Sequence, residues 1–216
     1  MSSIDLQKAM QELQKPFPAE DIEWRVQRVV KTSKGNKAVV LAYVTNRAIQ
    51  NRLDEVFGIG NWKNEFKEWR DTGVLCGISV KIDGEWVTKW DGAEETRIEA
   101  VKGGFSGSMK RAAVQWGIGR YLYNLPETWV DIKEKGEHYV KDKETGITGY
   151  WDTPQLPAWA LPAPTIETLK AKYQLGNGSL DGFEEWYNKM KAKGKTDSEI
   201  NHILTASLAK KKGEAS

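Results

Sequence analysis

Between Ile22 and Val44 apolar and polar residues alternate on both sides of a turn at Thr32-Ser-Lys-Gly-Asn36, which predicts two antiparallel strands. Ile22, Trp24, Val26 and Val30 fall on one face of the first strand, with Arg25, Gln27 and Lys31 on the other. The same period of two returns in Asn64–Arg70, Val74–Ile82 and Glu85–Trp90. In the middle run Val74, Cys76, Ile78, Val80 and Ile82 alternate with Leu75, Gly77, Ser79 and Lys81. Asp83-Gly84 between the last two runs is a hairpin signal, because a type I′ turn needs positive φ at both central residues. Helical spacing appears in residues 4–14, where Leu6, Met10 and Leu13 share a stripe that Pro16 and Pro18 end, and where Ser2-Ser3 reads as a cap. It returns from Asn46 to Phe57, stopped by Gly58, and over roughly 103–123.

Strands first and one long helix after them predict an α+β domain, with an antiparallel sheet packed on that helix, over residues 1–151. Four of the seven prolines fall between Pro154 and Pro164, so residues 152–165 read as a linker or extended arm. Residues 166–216 form a small helical region: Ile166–Tyr173, Phe183–Lys193 and Asp197–Ala209 are amphipathic, and Thr196-Asp197-Ser198-Glu199 caps the last. The basic tail from Lys210 reads as disordered.

The long helix carries the sharpest signal. With 100° per residue and Phe105 at zero, Met109, Ala112, Trp116, Gly119 and Tyr123 stay within about 40° and form a core stripe. Lys110 and Arg111 flank the opposite face, which also holds Val114 and Ile118. That face is covered either within one monomer or by a neighbouring subunit beside a cationic groove. The glycines along this helix cost helix propensity, so close approach by another backbone explains them.

Composition narrows the classes. The chain has 216 residues and a formal net charge of +2, so any binding to a polyanion needs its cations segregated into a patch. One cysteine, Cys76, excludes an intrachain disulfide framework and fits a reducing cytoplasm. No run approaches the ~20 apolar residues of a membrane helix, so no membrane role is expected. Trp24, Trp86, Trp90 and Trp116 fall on apolar faces and read as core. Asp91, Glu94, Glu95 and Glu99 cluster as magnesium ligands of a nuclease would, or as a solvated loop; no partnering motif accompanies them. No phosphate-loop spacing occurs, and neither a nucleotide, a metal nor another cofactor is expected.

The segment Met109-Lys-Arg-Ala-Ala-Val-Gln-Trp-Gly117 resembles the Lys-Arg-Ala-x-x-x-aromatic-Gly helix of the Rad-fifty-two/twenty-two family of single-strand annealing proteins. Asn46-Arg-Ala-Ile-Gln-Asn-Arg-Leu-Asp-Glu-Val-Phe-Gly58 with Asn61-Trp62 is similar to the family's helix ending in Phe-Gly before a Gly/Asn-Trp, and Gly73–Gly84 resembles its hairpin. Order and spacing agree over roughly residues 15–125, most strongly with the short, phage-borne members.

The resemblance implies a curved antiparallel sheet on a long helix, assembled into a ring or helical filament in the cytoplasm of a bacterial host. It implies ATP-independent binding of single-stranded DNA and annealing of complementary strands in recombination and repair, with no covalent chemistry. It carries over Lys110 and Arg111 as groove cations, and Lys102 as the basic residue before the helix. Arg47 sits one position earlier than the family's arginine, and Val114 stands where the family has a second arginine. Arg25 and Lys31, with Lys34 and Lys37, form either a further basic strip or a solvated hairpin face. Val114 and Ile118 are then expected at the subunit interface. The helical C-terminal region is expected to recruit a partner, the host single-strand binding protein being the candidate. A passive single-strand protector and a metal-dependent nuclease are the rival readings.

Overall fold

Asp5 opens the first helix, α1 (Leu6–Gln14), its carboxylate accepting the Lys8 N–H at 3.0 Å. The expected cap at Ser2-Ser3 lies outside the described residues, since the computed structural model describes residues 5–70, 73–94 and 100–213. Ala9 and Leu13 bury this helix, while Leu6 and Met10, expected on the same stripe, are exposed. Arg52 closes the other end of α1, donating to the Glu12 and Lys15 carbonyls at 2.8 and 2.9 Å with its guanidinium over the Phe17 ring.

The first hairpin is β1 (Ile22–Thr32) and β2 (Gly35–Val44), followed by α2 (Asn46–Phe57), which Thr45 caps and Gly58 ends at φ 78°. Then β3 (Trp62–Trp69), β4 (Gly73–Ile82) and β5 (Glu85–Glu94) form an antiparallel sheet in that order. Asp83 (φ 49°) and Gly84 (φ 91°) take the left-handed conformations that the Asp-Gly pair predicts. After α3 (Ala100–Gln115), β6 (Thr128–Asp131) returns to pair with β2. β7 (His138–Lys141) and β8 (Thr148–Trp151) make a small hairpin of their own. The pairing is antiparallel throughout, as expected. Among the described residues the expected single sheet is instead two three-stranded sheets and a hairpin.

The chain divides into two compact units, Met1–Leu156 and Pro157–Ser216. In the first, Cys76, Ile78 and Val80 of β4 pack with Met109, Ala112 and Ala113 of α3 and with Ile49, Leu53 and Phe57 of α2. Burial raises the Cys76 thiol to about 12, so it stays a neutral, small apolar residue. Trp116 closes this core, its indole N–H donating to the Ile78 carbonyl at 3.0 Å. Trp86 and Trp90 do not belong to the core: they lie 44% and 36% exposed on the outer face of β5, where Trp90 rests flat over Gly77 and Lys67 covers its ring at 4.3 Å.

Two local devices override the sequence pattern. The β1–β2 register shifts between Val26 and Arg28, a bulge at Gln27. Antiparallel partners share a face, so Val29 replaces Val30 as the buried residue, packing with Ala38, Val40, Val140 and Trp151. The second device ends α3. Gly117 is left-handed at φ 93°; its N–H bonds the Val114 carbonyl at 3.0 Å, and the Ile118 N–H bonds the Ala113 carbonyl at 3.1 Å. This pairing is a Schellman stop. The helix therefore ends at Gln115 rather than near 123, and Arg120 and Lys89 satisfy its last carbonyls. Gly119, Tyr123 and Ile118 thus lie beyond the helix on which the stripe was drawn; Tyr123 and Phe105 are exposed, and Ile118 is buried.

The second unit holds α4 (Ile166–Asn177), α5 (Phe183–Ala192) and α6 (Asp197–Gly213). Leu169, Phe183, Ile200 and Leu204 fill its core, with Tyr173, Trp186 and Tyr187 around Phe183. The expected cap forms as a reciprocal box: Thr196 N–H donates to Glu199 at 2.9 Å, and Glu199 N–H returns to the Thr196 hydroxyl at 3.3 Å. Hydrogen bonds from Lys195 and Thr196 lower the Glu199 carboxyl to about 2. The helix runs to Gly213, so Lys210-Lys-Lys212 belong to it rather than to a disordered tail. Among the described residues no helix is long and apolar enough to cross a membrane.

Candidate nucleic-acid interface

Lys110 and Arg111 stand side by side on α3, and the sheets on either side determine what each faces. β1 supplies Glu23, which pairs with Lys110; β5 supplies Asp91, whose carboxylate takes the Arg111 Nε–H at 3.0 Å. Lys110 is largely enclosed, its side chain 13% exposed, whereas Arg111 is open to solvent. Burial raises the Asp91 carboxyl, but hydrogen bonds from Gln115, the Gly92 N–H and Arg111 outweigh it and leave the group ionised below the ordinary carboxylate range.

These side chains border a cavity of about 280 Å³ between α3 and the first hairpin. Arg25, Lys110 and Arg111 lie around it, with Tyr43 and Tyr123 as aromatic walls and Val44, Val114 and Leu122 as apolar ones. Partial burial raises the Tyr123 phenol, so it remains a neutral hydroxyl-bearing ring. Lys110 is also on the rim of a second, wider depression that reaches Arg47, Asn64 and Phe105. Lys110 borders both: of the expected cations, Arg25 and Arg111 line the first with it, and Arg47 lines the second, which Glu20, Asp21 and Glu23 also line. The first cavity forms a channel that presents Arg25, Lys110 and Arg111 together.

Lys31 is not part of it. The bulge at Gln27 reverses the strand's phase, so Arg25 shares a face with Leu41 and Arg28 with Val39, while Lys31 pairs with Asn36 on the opposite face. Lys37 is tied to Asp131 at 2.9 Å and Lys34 is in the turn, so the basic strip along the hairpin does not form. Arg28 takes the face that sequence reasoning gave to Lys31, and its guanidinium sits over Trp129 while pairing with Glu127. Tyr43 and Tyr123 of the cavity wall were missed, and so was the exchange of Arg28 for Lys31, because a bulge is invisible to a strict period of two. Lys102 lies in the first turn of α3, with its side chain outside the described residues.

Ile118 requires a correction. It is 1% exposed and packs into the main core of its own chain, because the left-handed turn at Gly117 swings it inward. A side chain without surface has nothing to offer a neighbour. Val114 keeps a half-buried position on the cavity wall. Gly107 is approached by Ala93 of β5 in the same chain, so that a Cβ added at Gly107 would fall 3.2 Å from the Ala93 Cβ. Of the acidic cluster, Glu95, Glu99 and the Glu94 side chain lie outside the described residues, and Asp91 serves Arg111. Among the described residues no group of three His, Cys, Asp or Glu side chains is placed to hold a metal.

A helix whose adjacent cations meet a hairpin across an open channel, backed by an antiparallel sheet, suits a protein that grips the backbone of an extended polyanion. The chain belongs to the Rad52/22 family of double-strand break repair proteins, whose family model matches residues 5–141. It is also similar to two curated relatives, each a single-stranded DNA-binding protein DdrA. The one from Deinococcus radiodurans is 35% identical over 210 residues, 89% of this chain and 88% of the relative. The one from Deinococcus deserti is 32% identical over 170 residues, 75% and 73% of the two chains.

Proposed function

We propose that this protein binds single-stranded DNA and anneals complementary strands, without ATP or a covalent step, in recombination and repair. The observation that carries the reading is the convergence of Arg25, Lys110 and Arg111 on one channel in a chain of this family. Their charges hold phosphates irrespective of sequence, and a grip on the backbone leaves the bases available to a second strand. One subunit offers few cations, so a homo-oligomer that repeats the channel along the strand supplies the avidity; the half-buried Val114 at its wall favours a neighbour there. The assembly is a ring or helical filament. The relatives named by comparison are bacterial, and the phage setting rests on the motif resemblance alone.

The test mixes labelled complementary oligonucleotides with the protein, with and without magnesium and without nucleotide. Annealing faster than in buffer is expected in both, with affinity falling steeply as salt rises. Magnesium-dependent degradation would favour the nuclease, and pairing slower than in buffer the passive protector.

The C-terminal unit is proposed as the recruiting module for a protein partner, the host single-strand binding protein. Its own aromatic core, together with exposed Leu175, Leu180 and Ile203, supports that role. Deleting residues 157–216 is expected to spare annealing of naked strands and to slow annealing of strands coated with the host protein. Equal losses on both substrates would count against recruitment.

A further inference from the structure

Each of the two adjacent cations on α3 already has an anionic partner. Lys110 is paired with Glu23 of β1 and Arg111 with Asp91 of β5. The acids come from different sheets and share no hydrogen bond, so the two pairings are separate. A carboxylate offers these donors what a phosphodiester offers, two anionic oxygens at charge-assisted hydrogen-bond distance.

We infer that Glu23 and Asp91 are stand-ins for phosphate: they occupy the seats on Lys110 and Arg111 until a strand displaces them, and so set how tightly the protein grips DNA. This inference rests on the strand-binding reading above. The exchange runs differently at the two seats. Glu23 is 39% exposed while Lys110 is enclosed, so the acid swings into water and the cation stays. Asp91 is fixed by Gln115 at 3.1 Å and by the Gly92 N–H at 2.7 Å, so there the exposed Arg111 turns away from its acid towards the strand. In both cases strand release is offset by re-formation of an internal ion pair, which keeps a partly desolvated cation from being left bare. An annealing protein needs this, because it must give up each phosphate as the duplex forms.

The alternative is that Glu23 only orients Lys110, in which case neutralising it weakens binding; the two roles predict opposite signs. The measurement is fluorescence anisotropy of a labelled oligothymidylate with the full chain at fixed, moderate ionic strength. Glu23→Gln is expected to tighten binding roughly threefold to fivefold, and Asp91→Asn to tighten it through Arg111. In a Lys110→Ala background Glu23→Gln is expected to change nothing, a coupling that long-range removal of a negative charge does not produce. Glu65→Gln, on the outer face of the β3–β5 sheet with Gly77, is the charge control. If Lys110→Ala weakens binding but Glu23→Gln does not tighten it, or tightens it equally without Lys110, the stand-in role is overturned and strand binding stands. If Lys110→Ala leaves affinity unchanged, strand binding at this seat fails and takes the inference with it. Should Glu23→Gln lose its thermal transition, Asp91→Asn and Arg111→Ala form the same cycle on the second seat.

Discussion

Lys110→Ala combined with Arg111→Ala is expected to weaken binding of single-stranded oligonucleotide by roughly a hundredfold or more at moderate salt. Each substitution removes a charge-assisted contact to phosphate, and an oligomer loses both from every repeat. The slope of log affinity against log salt should flatten by about 1.4 for each subunit engaged, since each single-strand phosphate contact contributes about 0.7. The thermal transition is expected to move little. Glu23 is left on an open surface, and Asp91 keeps its bonds from Gln115 and Gly92. Anisotropy titrations at several salt concentrations, paired with a circular dichroism melt, measure both quantities. Unchanged affinity and slope would move the site away from α3.

The second large effect concerns stability. Ile118→Ala is expected to cost about 3 kcal/mol of unfolding free energy, within the range for a buried large-to-alanine truncation. Ile118 is fully enclosed by its own chain at the point where the left-handed Gly117 turns the backbone back over the core. An interface residue would behave otherwise: its truncation would weaken assembly and leave the subunit's stability almost unchanged. Val114→Ala, half-buried at the cavity wall, is the comparison and should cost well under half as much. Chemical denaturation at two protein concentrations separates the cases. A midpoint for Ile118→Ala that depends on concentration, with little loss at high concentration, would return Ile118 to the interface.

Where the chain obeys local rules, the sequence was a sufficient guide. The apolar alternation of Val74, Cys76, Ile78 and Val80 set β4 and its buried face; Asp83-Gly84 set the hairpin; Gly58 ended α2; Thr196 and Glu199 capped α6. Lys110 and Arg111 were legible as an adjacent cationic pair on α3 because the motif around them is local. The rest failed for identifiable reasons. One extra residue at Gln27 reverses a strand's phase, and a period of two carries no sign of it. Gly117 followed by an apolar residue was a helix-stop signal, but five glycines in one segment favoured a packing explanation over a capping one. β6, β7 and β8 are four residues each, too short for a pattern to emerge. Glu23 lies 87 residues from Lys110 in the chain and Asp91 lies 20 from Arg111, so their pairing is a product of tertiary folding alone.

The bulge at Gln27 acts as a phase switch in the hairpin. Upstream of it the strand's odd positions, Glu23 and Arg25, share a face with Tyr43 and Leu41; downstream the even ones, Arg28 and Val30, take that face, and Lys31 is sent to the other. Chain length at this one site therefore chooses which cation shares the face of Arg25. An unbulged strand of the same composition would exchange Arg28 for Lys31 and bury a different valine. Evolution can thus re-aim the hairpin's charge by a single insertion or deletion, with no change to the helix that carries Lys110 and Arg111.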